Sequence, residues 1–196
     1  MPTASGGSES RPARRSTRRL FFALWPDTGT RAALARETRK AVRRGGGRPV
    51  PPANYHLTLA FLGNQPVDLF DAIVAAAATV RAAPFELTLE RYGHWPKPRV
   101  FWIGPSPVSS EEAATALSAP AGLAAQLWDR LEVLGLRREP RPFRAHVTLA
   151  RKVAALPEVP PPDPLIWKAS SFALVESVTE QSGAVYAVAR EFALTE

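Results

Sequence analysis

The chain has 196 residues, 45% of them hydrophobic, with 25 basic against 18 acidic side chains and a net charge of +7. This length suits one substantial hydrophobic core, and hence a single domain. Cysteine is absent, which excludes disulfides, thiol nucleophiles and thiolate metal ligands, and no apolar run is long enough to span a bilayer. We therefore expect a soluble, cytoplasmic protein.

The start of the chain differs in composition from the rest. Residues 1–19 contain five arginines and one glutamate, so they contribute +4 of the net +7. They are rich in proline, glycine and serine and lack apolar periodicity, so burial cannot offset the entropy of ordering them. We predict a disordered basic tail over residues 1–18 and a single domain over residues 19–196.

The first ordered elements are predicted to be a strand and a helix. The apolar residues 20–25 indicate a buried strand. A helix follows, with Asp27 or Thr28 as its cap and the glycines at 45–47 as its end. Its apolar face is formed by Ala32, Ala33, Leu34, Ala41 and Val42. Prolines make residues 48–54 a loop.

The remaining elements alternate between strands and helices. Strands are predicted at residues 55–62, 85–91, 99–103, 145–153, 169–177 and 185–192. Helical spacing covers residues 66–81 and 109–134, with Pro120 and Gly122 as candidate interruptions and Gly135 as the end of the second helix. The prolines of 157–164 indicate a loop. The order of elements predicts an α+β fold.

The pattern His-x-Thr-Leu-Ala occurs twice, at residues 56–60 and 146–150. Because side chains alternate along a strand, each histidine shares a face with the threonine two positions on, about 7 Å away. The aliphatic side chains between them then face the core, namely Leu57, Leu59, Val147 and Leu149. The polar faces of the two strands are predicted to form the floor of a groove.

A pair of histidines suits acid/base chemistry. Imidazole has an unperturbed pKa near 6.5, so at neutral pH one ring can donate a proton while the other accepts one. Hydrolysis of a cyclic phosphodiester needs both steps, and the hydroxyls of Thr58 and Thr148 can bind the non-bridging oxygens. Zinc is disfavoured because a catalytic site uses about three protein ligands and the spacings H-x-H and H-x-x-x-H are absent. We expect no metal and no cofactor.

These residues resemble the 2H phosphoesterases, and among them the bacterial and archaeal RNA 2',3'-cyclic phosphodiesterases, also called 2'-5' RNA ligases. Besides the two motifs, the resemblance rests on residues 20–23, 55–63, 99–104 and 141–151, and it extends from about residue 20 to 192. It implies a bilobal, LigT-like fold, in which two pseudo-symmetric antiparallel sheets with helices outside enclose a central cleft. Ala145 departs from the proline that is usual before the second histidine.

The resemblance also implies an activity and a division of roles. It implies hydrolysis of RNA 2',3'-cyclic phosphate ends to 2'-phosphomonoesters, with His56 as the proton donor and His146 as the proton acceptor. Reversible 2'-5' joining of RNA would be the reverse reaction and a minor one. RNA with a cyclic phosphate end is the expected partner. We expect a monomer with no obligate protein partner and no membrane association.

Four more side chains are candidates for substrate contacts. Arg144 shares the face of His146, whereas Arg151 needs a twist or bulge at the strand end to reach the phosphate; solvent exposure is the alternative for both. Phe22 and Trp95 are candidates for stacking on a base, although Phe22 in an apolar strand is more typical of core. The other aromatic candidates are assigned to core or lobe packing, namely Trp102, Trp128 and Trp167, and His94 to a loop.

Two alternatives stay open. The same histidines could act on a small cyclic nucleotide or on a cyclic phosphate of ADP-ribose. A non-catalytic RNA-binding module is also conceivable, but such a module has no need of both histidines and both threonines, and this chain has all four.

Overall fold

A computed structural model describes residues 16–106, 111–180 and 183–195. Its strands are β1 (Thr17–Leu24), β2 (Arg48–Pro49), β3 (Leu57–Pro66), β4 (Phe85–Leu89), β5 (Arg91–Trp95), β6 (Val100–Gly104), β7 (Val147–Arg151), β8 (Leu165–Ala169), β9 (Ser171–Glu180) and β10 (Gly183–Ala193). Its α-helices are α1 (Thr28–Gly45), α2 (Phe70–Ala77) and α3 (Glu111–Glu132). Short 3₁₀ turns cover Pro52–Asn54 and Val67–Leu69.

The strands form a large and a small antiparallel sheet. The large sheet has eight strands in the order β10-β9-β1-β3-β7-β6-β5, with β2 paired to β7, and the small sheet pairs β4 with β8. The large sheet has two halves, which meet between β3 and β7 through the single residue pair Leu57 and Val147. The α+β class is confirmed. The two sheets expected from the resemblance correspond to the two halves of the large sheet, which are joined at this residue pair.

One face of the large sheet packs against the helices. The four aliphatic motif residues are at most 4% exposed, and they belong to one core with Leu123 and Leu127 of α3. The predicted inward orientation of Leu57, Leu59, Val147 and Leu149 is therefore confirmed. The histidines and threonines lie on the opposite face, where His56 contacts the second hydrophobic cluster, which contains Phe21.

Both motif strands contain the same irregularity. On β3, Thr58 pairs with Ala23 and Ala60 with Phe22, so Leu59 has no partner of its own. On β7, Thr148 pairs with Trp102 and Ala150 with Phe101, so Leu149 is the extra residue. Such a bulge reverses the alternation of the residues that follow it. The fifth residue after each histidine therefore returns to the histidine's own face; these residues are Phe61 and Arg151.

The first strand begins earlier than the sequence predicts. It starts at Thr17 instead of residue 20, because β3 extends to Pro66 and provides pairing partners for the preceding residues. Arg18, assigned to the tail, lies on this strand, where it donates to Glu176 at 2.6 Å and stacks over Phe70 at 3.9 Å. Residues 1–15 of the predicted tail lie outside the described residues.

Other boundaries also differ. Residues 91–95, which include the predicted loop residue His94, form β5, and the small-sheet strand β8 lies outside the predicted strands apart from its last residue. Helix α1 is capped by Asp27 as predicted, yet Ala32 is exposed, and Thr38 takes a buried place by donating to the carbonyl of Leu34. Pro120 lies inside α3 without ending it. Within the described ranges, no helix is long and apolar enough to cross a membrane.

Candidate active site

The two histidines are held in the same way. The Nδ1 atom of His56 lies 2.8 Å from the carbonyl oxygen of Asn54, and that of His146 lies 2.7 Å from the carbonyl oxygen of Arg144. Because a carbonyl oxygen only accepts, each Nδ1 carries the proton and donates it. In the neutral ring, Nε2 then has a free lone pair. Each imidazole is thus oriented by the backbone two residues before it.

The two rings differ at Nε2. His56 Nε2 lies 3.0 Å from Oγ1 of Thr58, so in the neutral state it accepts the threonine hydroxyl. For His146, no hydrogen bond to Nε2 occurs among the residues that the structure describes. The lone pair of His146 is therefore available to a substrate or a water, whereas that of His56 is held by Thr58.

Aromatic side chains surround His56. Its ring centroid lies 4.9 Å from that of Phe21 and 5.8 Å from that of Trp25, whose indole is stacked at 18°. Tyr186 of β10 meets the ring edge-on at 5.3 Å. The amide of Asn54 donates to the carbonyl of Ala184 at 2.8 Å, which ties the segment before His56 to β10. His56 is consequently enclosed by residues from distant parts of the chain.

His146 lies against a second aromatic group. Trp95 approaches it edge-on at 4.5 Å, and Trp102 lies behind at 6.4 Å from His146 and 5.4 Å from Trp95. The indole of Trp102 extends across Gly93, where a Cβ atom would lie 2.0 Å from its Cζ2. Glycine at this position therefore allows Trp102 to pack flat beneath the site.

Burial determines the charge of both histidines. Burial lowers the pKa of the His56 imidazole to about 4; the hydrogen bond to Asn54 opposes this, and the charges of His146 and Arg151 add to it. Burial also lowers the pKa of His146, against its bond to Arg144 and with a further contribution from Arg151. Both rings are thus neutral at pH 7 in the ligand-free protein.

These shifts also affect stability. The unfolded histidines titrate near pH 6.5, above the pKa of either folded ring. The unfolded chain therefore binds more protons than the folded one below that pH. The stability that the neutral rings contribute is present above about pH 6.5 and is lost as the pH falls toward 4.

We expect NMR titration of the ligand-free protein to find the His56 ring changing protonation near pH 4. Replacing Trp25 by alanine removes the stacked indole, so the pKa of His56 should rise toward 6.5. Trp128→Phe, in the core on the other face of the sheet, is the matched control and should leave it unchanged. A wild-type His56 that titrates near pH 6.5 would contradict the enclosure of its ring by Phe21, Trp25 and Tyr186.

The structure sorts the other sequence candidates. Phe22 is wrong as a base-stacking residue, because it is fully buried and packs against Phe172 and Phe192. The side chain of Arg144 is exposed, and the contact it makes to His146 is through its backbone. Arg151 lies on the face of Thr148 because of the bulge, and its charge acts on both histidines.

The remaining aromatic predictions divide. Trp128 and Trp167 belong to the core, as predicted. Trp102 lies on the cleft face, and its buried Nε1 has no hydrogen-bond partner among the described residues. His94 is in strand β5 instead of a loop, and its Nε2 bonds to the carbonyl of Val153 at 3.0 Å.

Four aromatic residues of the cleft were missed by sequence reasoning. These are Phe21, Trp25, Phe61 and Tyr186. Phe61 pairs with Phe21, is 45% exposed, and has the Arg19 guanidinium 4.9 Å from its ring centroid. Phe21 and Phe22 are neighbours in a run that is apolar on both faces, so alternation alone did not show which of them faces the cleft. In the described ranges, no three histidine, aspartate or glutamate side chains gather to hold a metal ion.

The fold is α+β, and its large sheet presents both His-x-Thr motifs on one face. This combination is typical of the 2H phosphoesterases. The family model "LigT like Phosphoesterase" matches residues 25–102. The RNA 2',3'-cyclic phosphodiesterase of Thermus thermophilus is 36% identical to this chain over 184 residues, which cover 90% of each chain. The RNA 2',3'-cyclic phosphodiesterase of Escherichia coli is 31% identical over 183 residues, which cover 91% of this chain and 97% of that protein. The crystal structure of E. coli LigT complexed with 3'-AMP superposes with a TM-score of 0.80 at 30% identity, covering 92% of this chain and 100% of that one. The chain belongs to the LigT-like phosphoesterase family.

Proposed function

We propose that this chain hydrolyses RNA 2',3'-cyclic phosphodiester ends to 2'-phosphomonoesters by a metal-independent, two-histidine mechanism. Two relatives named for this RNA activity align with about nine-tenths of the chain. The observation that carries the mechanism is the pair of imidazoles, each oriented through Nδ1 and each directly before Leu57 or Val147, the residue pair that joins the two motif strands. An acid and a base so placed can serve opposite sides of one phosphorus atom.

In the proposed reaction His146 is the base. Its Nε2 accepts a proton from a water molecule as the water oxygen attacks phosphorus. The bond between phosphorus and the ribose O3' then breaks, and His56 donates the proton on its Nε2 to O3'. The attacking oxygen stays on the resulting 2'-phosphate. The free lone pair of His146 supports this assignment over the reverse one.

His56 must carry an additional proton to act as the acid. With a pKa near 4 in the ligand-free site, it is neutral at pH 7. The phosphodiester of the substrate is an anion, and an opposite charge within about 4–6 Å raises the pKa of an imidazole. Substrate binding should therefore be accompanied by uptake of one proton at His56. Imidazolium Nε2–H can then donate to O3'.

Three side chains are proposed to bind the non-bridging phosphate oxygens. Thr58 and Thr148 share the faces of the two histidines, and their hydroxyls can donate to the non-bridging oxygens, on which negative charge grows in the transition state. Arg151 reaches the same face through the bulge at Leu149 and offers a guanidinium suited to phosphate. Arg144 is a weaker candidate, because its side chain is exposed and its hydrogen bond to His146 is made by the backbone carbonyl.

Replacing Arg151 by glutamine is expected to lower kcat/KM about 100-fold, since one charged donor to the transition state is lost. Loss of its positive charge should also raise the pKa of both histidines, which moves the acidic limb of the pH–rate profile to higher pH. Arg130→Gln, exposed on helix α3, is the control. An unchanged kcat/KM in Arg151→Gln would remove this residue from the proposal.

The base of the terminal nucleotide is proposed to stack on a cleft aromatic. Phe61 replaces Phe22 as the candidate for base stacking, because its ring is exposed and the Arg19 guanidinium lies against it. Trp95 stays a second candidate, although its edge packs on His146. Either position keeps the base on the same open face as both histidines.

The test of the function is the hydrolysis of a short RNA with a 2',3'-cyclic phosphate end in the presence of EDTA. We expect conversion at an unchanged rate and a product whose phosphate is on O2', as 31P NMR can identify. Loss of activity on adding EDTA would overturn the metal-independent mechanism. A 3'-phosphate product would overturn the assignment of the leaving oxygen.

Several expectations about the whole protein stay proposals. We propose that the chain from Thr17 onward acts as one bilobal domain, since β1 begins there and not at residue 19. We also propose that the protein is a cytoplasmic monomer and that 2'-5' joining of RNA is a minor reverse reaction. A small cyclic nucleotide is the main alternative substrate. Faster turnover of a mononucleotide 2',3'-cyclic phosphate than of an oligonucleotide would favour that alternative.

A further inference from the structure

Five positive side chains gather at one end of three neighbouring strands. They are Arg48, Lys97, Arg99, Arg151 and Lys152, all exposed, and we call them the basic edge. Arg48 and Val100 both pair with Arg151, so β2, β7 and β6 end at the same level. Lys97 lies in the turn between β5 and β6. The group thus places five positive charges on one small surface.

The basic edge lacks counter-charges. Among the described residues, none of the five forms an ion pair, whereas Arg18, Arg138 and Arg141 each pair with a carboxylate. Arg48 and Arg151 are direct cross-strand partners, and like charges in that position repel each other. An arrangement that repels itself in the free protein favours binding of a polyanion.

The backbone holds these charges in place. Arg99 and Lys152 have positive φ angles of 53° and 58°, and they are the non-glycine residues that do so in the described ranges. The Arg99 guanidinium donates to the carbonyl of Lys152 at 3.2 Å. At Gly47, with φ 73°, a Cβ atom would lie 2.5 Å from the carbonyl oxygen of Arg151. Unfavourable backbone conformations that the fold maintains are often found at functional surfaces.

The basic edge is continuous with the active site. Arg151 belongs to both, since it lies on the face of Thr148 and also pairs with Arg48. Trp95, which packs on His146, is the last residue of β5, and the turn that contains Lys97 follows directly. An RNA strand that extends from the histidines past Trp95 therefore reaches the basic edge.

We propose that the RNA strand upstream of the cyclic phosphate runs along the basic edge, and that Arg48, Lys97 and Lys152 bind its backbone phosphates. The inference rests on the proposed function and deepens it, because it selects oligonucleotides over mononucleotides as substrates. Contacts to phosphates carry no base sequence, so the preference is for length and not for sequence.

The test uses the triple variant Arg48→Gln/Lys97→Gln/Lys152→Gln, which leaves Arg151 and the hydrogen bond of Arg99 intact. Its kcat/KM for a ten-nucleotide RNA with a 2',3'-cyclic phosphate should fall at least tenfold. Its kcat/KM for a mononucleotide 2',3'-cyclic phosphate should stay within about twofold of wild type. The slope of log kcat/KM against log salt for the RNA should become shallower by about 2, because each phosphate contact on a single strand contributes about 0.7.

The control removes as many charges elsewhere. Arg81→Gln/Arg130→Gln/Arg137→Gln changes three exposed arginines on or after α2 and α3. Helix α3 packs against β3 and α2 packs against α3, and both contribute to the core on the face opposite the histidines. This control variant should behave as wild type on both substrates. An equal loss on both substrates in the basic-edge variant, or no loss on RNA, overturns the proposal.

A binding measurement separates this inference from the proposed function. Fluorescence anisotropy of a labelled decamer ending in a 2'-phosphate needs no turnover, and the basic-edge variant should bind it at least tenfold more weakly than wild type does. If the wild type hydrolyses no cyclic phosphate, the proposed function is overturned. The anisotropy measurement would still show whether the basic edge binds RNA. Competition by decaglutamate as strong as that by unlabelled RNA would indicate an acidic protein partner and overturn the proposal.

Discussion

Replacing His56 or His146 by alanine is expected to lower kcat about 10²- to 10⁴-fold, which is the usual contribution of one general acid or base. The reason is geometric as well as chemical. Each ring is oriented by a hydrogen bond from Nδ1 to a backbone carbonyl, and alanine removes both this bond and the Nε2 atom that it positions. Single-turnover hydrolysis of the cyclic phosphate RNA measures the loss without interference from product release.

The two variants should differ in their pH profiles. His146→Ala removes the base and with it the acidic limb of the profile, because that limb reports protonation of the free lone pair. His56→Ala removes the acid and with it the basic limb. The double variant should be little slower than either single one, since the groups act as a unit.

The third histidine is the matched control. His94 is on β5, and its Nε2 bonds to the carbonyl of Val153. His94→Gln keeps a donor for that carbonyl and should retain kcat within about threefold, a margin small beside the loss expected for a general acid or base. Full activity in His56→Ala or His146→Ala would contradict the two-histidine mechanism.

Gly93→Ala is expected to be the most damaging small substitution on the cleft face. A methyl group at this position would lie 2.0 Å from Cζ2 and 2.4 Å from Cε2 of Trp102, so the indole must move. Overpacking of this kind costs about 1–3 kcal/mol. For a chain of this size each kcal/mol lowers Tm by about 2–4 °C. Activity should also fall, because Trp102 supports Trp95 against His146.

Two variants make this prediction specific. Gly122→Ala lies in α3 with nothing within 4 Å of the added methyl, so it should be neutral or stabilise by up to about 1 kcal/mol. Gly93→Ala/Trp102→Leu provides room for the methyl and should lose less stability than the sum of the single changes. Thermal denaturation of the wild type, these variants and Trp102→Leu alone measures each change in Tm, and an unchanged Tm in Gly93→Ala would contradict the packing.

The motif strands were predictable because strand alternation is local. Leu57 and Val147 lie one residue from the histidines, so a two-residue period assigns them to the core without any knowledge of the partner strands. The same period failed for Phe22, because the run at 20–25 is apolar on both faces and shows no phase. Pairing with β3 and β9 decides that Phe21 faces the histidine.

The sequence by itself determined the α+β class and the family, and it supplied the two His-x-Thr motifs that are proposed as the acid/base site, because these depend on local patterns of residues. Only the tertiary structure decided the rest. The bulge that moves Arg151 to the histidine face depends on the register with β6, and the low pKa of His56 depends on burial by Phe21, Trp25 and Tyr186. Both effects require strands that are far apart in the chain to lie side by side, and no local pattern contains that information.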